Sequence, residues 1–113
     1  ALTALGTAIN KAKYARIISQ LQQIRARAET LYNGTYSLVP ENPASDPNFA
    51  RSAEDIAGVG GLLKIDVSSD TFSYAAWSRL TSGSNRYYCV DSSNVANEVT
   101  SEPGADSGQC PTN

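Results

Sequence analysis

The sequence predicts an α+β fold: one long N-terminal helix packed on an antiparallel meander of three to four strands. Three observations predict it. Tyr14, Ile17, Leu21, Ile24, Ala28 and Leu31 recur at alternating steps of three and four residues, which keeps them on one side of an α-helix. No Pro occurs before Pro40, and the only Gly before Gly34 is Gly6, in the first turns. From Leu62 onward, short β-branched and aromatic runs alternate with Ser/Asp/Asn/Gly turns, the pattern of hairpins. The 113 residues suffice for one domain with a modest core.

The helix is expected over 1–32. Asn33-Gly34 stops it, because both residue types tolerate the left-handed conformation of a helix C-cap. At 1.5 Å per residue, some twenty-five helical residues span about 40 Å, more than a small head needs. The turns before Tyr14 carry few large apolar residues and are expected to protrude. A loop is expected from Thr35 to Ser52, punctuated by Pro40, Pro43 and Pro47. Ser52 followed by Glu54 and Asp55 resembles a helix N-cap, so a short helical turn is expected over 53–57. Gly58, Gly60 and Gly61 break it and complete the 33–61 connection.

Strands are expected at Leu62–Val67, Thr71–Leu80 and Arg86–Val90, with turns at Ser68–Asp70 and Thr81–Asn85. A weaker fourth candidate is Asn94–Thr100, within a polar tail over 91–113. Such a sheet needs a cover on its apolar face. The strip Tyr14, Ile17, Leu21, Ile24, Ala28 and Leu31 supplies one, with Tyr32 and Tyr36 closing the top of the core.

Charge is divided along the chain. Residues 1–32 hold five basic residues against Glu29 alone, whereas the rest holds four basic and ten acidic residues. A basic spine under an acidic head favours contacts between copies and disfavours nucleic-acid binding by the head. There is no run of eighteen apolar residues, so nothing spans a membrane as it stands. The opening Ala1–Leu5 has the character of a processed or truncated start.

The spacing of Cys89 and Cys110 fits neither a CxxC redox pair nor a metal cluster, and the chain has no His. A disulfide between them would tie down the Gly/Ser/Pro-rich tail and imply an oxidising compartment; the alternative is two free thiols. Without His, no Ser-His or Cys-His pair can form, and the sequence is read as non-enzymatic, with no cofactor and no metal. Asp66 and Asp70 flank a turn and would suit acid–base work or Ca²⁺, but a solvated hairpin end is the preferred reading. The same preference applies to Asp91, Glu98, Glu102 and Asp106. Tyr74, Trp77, Tyr87 and Tyr88 are read as core and cross-strand pairs rather than a stacking platform. Asn33-Gly34-Thr35 matches a glycosylation acceptor, but its Asn-Gly serves helix termination.

The helix has a second face. Ala8, Ala12, Ala15, Ser19, Ala26 and Thr30 fall together, roughly opposite the apolar strip. Arg16 and Arg27 flank this stripe on one side, with Lys11 and Arg25 nearer the other. Small side chains let another helix approach closely, although Ala also suits any exposed helical position.

Taken in order, the chain resembles the soluble headpiece of a type IV pilin or related pseudopilin. The resemblance rests on the helix from Ala12 to Arg25, on Glu29-Thr30-Leu31-Tyr32-Asn33-Gly34-Thr35-Tyr36, and on the end from Tyr88-Cys89-Val90-Asp91-Ser92-Ser93 to Cys110. In that family a helix ends in a Tyr-x-Gly-x-Tyr-like passage, a variable loop crosses to an antiparallel sheet, and a C-terminal disulfide loop closes the head. The family's apolar N-terminal half-helix, with an aromatic first residue and a Glu near its start, has no counterpart here; Ala1–Leu5 looks like its last residues. The resemblance implies a pilin-like fold with a Cys89–Cys110 loop. It implies a structural subunit of a bacterial surface filament used in adhesion, motility or uptake, extracellular after assembly and anchored in the inner membrane before it. The implied partners are copies of the same chain, other pilins, the assembly machinery and, through an apolar N-terminal segment, the inner membrane. The loop at 37–61 and the disulfide loop at 89–110 are expected to face outward and to make contacts between heads. The alternatives carried are a type II secretion pseudopilin and a surface adhesin or DNA-binding minor pilin.

Overall fold

The computed structural model describes residues 2–80, 85–103 and 108–111, with side chains from residue 11 onward. Helix α1 runs from Leu2 to Thr30 without a break. Ile17, Leu21, Ile24 and Ala28 are fully buried, and Tyr14 and Leu31 pack at the margins of the same core. Each large aliphatic of this strip stabilises the fold by roughly 1.5–3 kcal/mol through apolar burial. Lys11, Ala12 and Lys13 are exposed, so the helix leaves its cover before Tyr14, as expected.

The helix ends two residues earlier than 1–32 predicts. The Thr30 hydroxyl donates to the Arg27 carbonyl (2.6 Å), and the Leu31 amide still bonds Arg27 and Ala28. The chain then turns through Gly34 at φ 101°.

The largest correction lies in the following connection. Helix α2 spans Pro47–Gly58, in place of a turn over 53–57. Asp46 is its N-cap and accepts from the amides of Asn48 (2.9 Å) and Phe49 (3.3 Å). Pro47 sits in the first turn, where its missing N–H costs nothing. Ser52 is therefore no cap; it is buried in the second turn beside Phe49 and Ile56, which enter the core. A 3₁₀ turn at Pro43–Ser45, capped by Asn42, precedes α2. Gly58 ends the helix as expected. Gly61 brings the chain so close to the sheet that a Cβ there would land on Ser78 Oγ and an Ile56 methyl.

Among the described residues, four strands form one antiparallel sheet in the order β1-β2-β3-β4: β1 Lys64–Val67, β2 Tyr74–Arg79, β3 Tyr87–Asp91 and β4 Ala96–Val99. Each lies inside its expected segment or one residue beyond it. Asn94–Thr100, the weakest candidate, supplies the fourth strand. The expected turn at Thr81–Asn85 lies outside the described residues except for Asn85. Lys64 pairs with Trp77, and Trp77 in turn with Cys89.

Strand alternation divides the sheet into two apolar faces. Ile65, Val67, Tyr74, Ala76 and Val90 join the α1 core. Ala75, Trp77, Cys89 and Val99 form a second cluster with Cys110. Tyr74 and Trp77 are both buried, as expected of core aromatics, but on opposite faces. Tyr87 and Tyr88 are partly buried. Tyr36 is buried edge-on against Tyr74, with ring centroids 4.8 Å apart, whereas Tyr32 stays half exposed and does not close the core. Phe72, expected in the second strand, stands in the turn before it and is exposed.

Candidate functional site

Two regions singled out by the sequence are placed by the structure: the uncovered face of α1 and the C-terminal tail, which crosses the outer face of the sheet.

Ala12, Ala15, Ser19, Ala26 and Thr30 are all exposed, while the opposite strip is buried. The Ala8 side chain lies outside the described residues. The structure therefore brings the stripe together as a ledge of small side chains. Its basic border is narrower than the sequence implies. Arg27 turns toward α2 and pairs with the cap carboxylate Asp46 at 3.4 Å. Burial raises the Asp46 pKa, but the Phe49 and Asn48 amides and the Arg27 guanidinium outweigh it and hold the carboxyl below its ordinary value. Beside it, Gln20 Nε2 donates to Asp55 at 3.0 Å, so one flank of α1 is spent on holding α2. Lys11, Lys13 and Arg16 remain exposed near the protruding end.

The tail is fastened at several points. Cys89 and Cys110 form a disulfide, 21 residues apart in sequence. Asp91 is 2% exposed and binds on both sides. Its Oδ1 accepts from the Ser93 (2.8 Å) and Val95 (3.1 Å) amides of the β3–β4 turn. Its Oδ2 accepts from the Cys110 amide at 2.9 Å. Asp66, 7% exposed, accepts from the Gly108 amide at 3.1 Å. Gly108 has φ 60°, and a Cβ there would land on Ser73 Oγ. The segment after β4 crosses back to β1 and β2, where Glu102 accepts from Lys64 Nζ (2.8 Å) and Trp77 Nε1 (3.2 Å). Those two partners lower the Glu102 pKa.

Asp66 and Asp91 are thus not the solvated groups that the sequence suggests. Their burial is offset by backbone amides brought from 42 and 19 residues away. No local pattern announces such partners. Asp70 is exposed, as expected, and its carboxyl is held below the ordinary range by the Ser68 hydroxyl and the Phe72 amide. Glu98 pairs with Arg86 at the surface, and Asp106 lies outside the described residues. Among the described residues no group of three His, Cys, Asp or Glu could hold a metal ion, and no helix is long and apolar enough to cross a membrane.

The two buried carboxylates are held by amide donors. The cleft between α1 and α2, about 270 Å³, is lined by Gln20, Arg27 and Asp55, which are already hydrogen-bonded to one another's elements. Comparison with protein-family models, with curated proteins and with solved structures finds no match.

Proposed function

We propose that this chain is the head of a pilin-like structural subunit, which assembles with copies of itself into a surface filament. The observation that carries the proposal is the division of labour on α1. One face holds the sheet through Ile17, Leu21, Ile24 and Ala28, and the opposite face presents the small side chains Ala12, Ala15, Ser19, Ala26 and Thr30 to solvent, with Gln23 beside them. A helix that serves its own head alone gains nothing from 29 residues. A helix that also packs beside its neighbours does, because small residues allow axes to approach within about 8–10 Å. The disulfide and the buried carboxylates support the same reading. They fix the outer surface of the head covalently and by hydrogen bonds, which suits a part that must keep its shape outside the cell.

In this reading the subunit is non-enzymatic, and its partners are other subunits and the machinery that assembles them. The chain described here should be monomeric by itself. The part expected to drive polymerisation is an apolar segment of about twenty residues ahead of Ala1, with one Glu near its start. The experiment is to sequence the gene upstream of Ala1 and to label cells with antibody against the head. The proposal expects that segment behind a short basic leader, and labelled filaments at the cell surface. A polar upstream domain, or a label confined to the cytoplasm, would overturn it.

A further inference from the structure

Where the C-terminal end of α1 meets the β1–β2 turn, a bowl of about 570 Å³ opens to solvent. Two exposed rings stand on its wall: Tyr32, 50% exposed, and Phe72, 66% exposed. Its remaining lining is rich in hydroxyls and includes Ser69, Ser73 and Ser93, with the Asp70 carboxylate among them.

The turn that presents Phe72 is held in a costly shape. Thr71, a β-branched residue, has φ 63°, in the left-handed region that such residues avoid. It is kept there by the hydrogen bond its amide donates to Ser68 O (2.9 Å) and by the Tyr36 amide, which donates to Thr71 O at 2.7 Å. Asp70 completes the turn by accepting from Ser68 Oγ (2.6 Å) and the Phe72 amide (3.0 Å). The result is a phenyl ring held outward by a hydrogen-bonded turn, beside a wall of hydroxyls.

We propose that this bowl binds a neutral saccharide. An aromatic face carries negative charge density and attracts the polarised C–H face of a pyranose. Serine hydroxyls both donate and accept, and a carboxylate accepts only, so together they match the hydroxyls on a sugar's rim. The volume lies within the range of small-molecule sites. The same lining argues against other ligands. Among the described residues no Lys or Arg borders the bowl, which disfavours nucleic acid and other polyanions. Asp70 is the one acidic side chain among the described lining residues, too few for a cation. This inference does not depend on filament assembly and would hold for an isolated head.

Saturation-transfer NMR on the whole chain tests it, using the methyl β-glycosides of galactose, glucose and N-acetylglucosamine at about 20 mM, suited to millimolar binding. The expected result is transfer to the C–H protons of one ring face for at least one glycoside. Phe72→Ala should weaken binding at least tenfold, and Asp70→Asn several-fold. Leu62→Ala, an exposed apolar residue elsewhere, should leave binding unchanged. Phe72→Leu keeps bulk without a ring and should also lose binding; it serves should the alanine variant fold poorly. Absence of transfer for all three glycosides overturns the proposal. So does equal transfer in a folded Phe72 variant, or a preference for heparin over every neutral sugar.

Discussion

Replacing Asp91 by Asn tests whether one buried carboxylate holds the tail and the β3–β4 turn together. The carboxylate uses both oxygens: Oδ1 for the Ser93 and Val95 amides, Oδ2 for the Cys110 amide. An amide side chain has one acceptor oxygen and must point its NH₂ at the other site. Whichever way the substituted side chain turns, at least one charge-assisted hydrogen bond is lost and a buried N–H faces another donor. A hydrogen bond to a charged group contributes about 1.5–3 kcal/mol, and orphaning a buried partner adds to that. The expected loss is about 2–4 kcal/mol. For 113 residues this corresponds to a fall in Tm of roughly 8–16 °C. Urea unfolding followed by Trp77 fluorescence gives the loss, and hydrogen exchange at the Cys110 and Val95 amides locates it. Glu98→Gln, which breaks only the surface pair with Arg86, should cost under about 1 kcal/mol. An Asp91→Asn protein as stable as the Glu98→Gln control would refute the reasoning.

Three further outcomes are expected. Among the described residues the Tyr74 hydroxyl is buried without a hydrogen-bond partner, and burial raises its pKa well above the ordinary phenol value; Tyr74→Phe should therefore raise stability by about 1 kcal/mol in urea titrations. Replacing Cys89 and Cys110 by Ser opens a loop of 21 residues and should cost about 3 kcal/mol, measured against the oxidised protein. Asp46 has its pKa lowered in the fold, so its charge stabilises above the ordinary value of 3.8, and that contribution is lost as pH falls through the folded value. Urea midpoints at neutral and strongly acidic pH should show the advantage of the native chain over Asp46→Asn shrinking in acid; an advantage that grew in acid would reverse the assigned sign.

The long helix is legible in the sequence because its apolar residues repeat at steps of three and four over five intervals, and only a helix brings them together. The meander is legible because its turns are written in Ser, Asp, Asn and Gly. Helix α2 is not, because Pro47 looks like loop punctuation, whereas Asp46-Pro47 is a cap followed by the one helical position that suits proline. The uncovered stripe on α1 can be read from helical geometry alone. Arg27 cannot be placed that way, because its partner Asp46 caps the very helix that the local pattern conceals. The buried Asp66 and Asp91 escape notice for a different reason. Carboxylates are usually solvated, and the donors that offset their burial are backbone amides with no residue signature. The strained Thr71 and the outward Phe72 are equally hidden, since a β-branched residue at positive φ contradicts local preference.

The filament reading makes one demand that a single labelling measurement meets. A cysteine placed at Ala15, in the middle of the exposed stripe, should react freely with a maleimide in the isolated head. In surface filaments sheared from cells that carry the full-length gene, the same cysteine should be protected at least tenfold. A cysteine placed at Ser69, on the exposed β1–β2 turn outside the 37–61 and 89–110 loops, should label alike in both. Equal reactivity of the two introduced thiols in filaments, or sheared filaments that lack this chain, would contradict the claim that the small-residue face of α1 is where subunits meet.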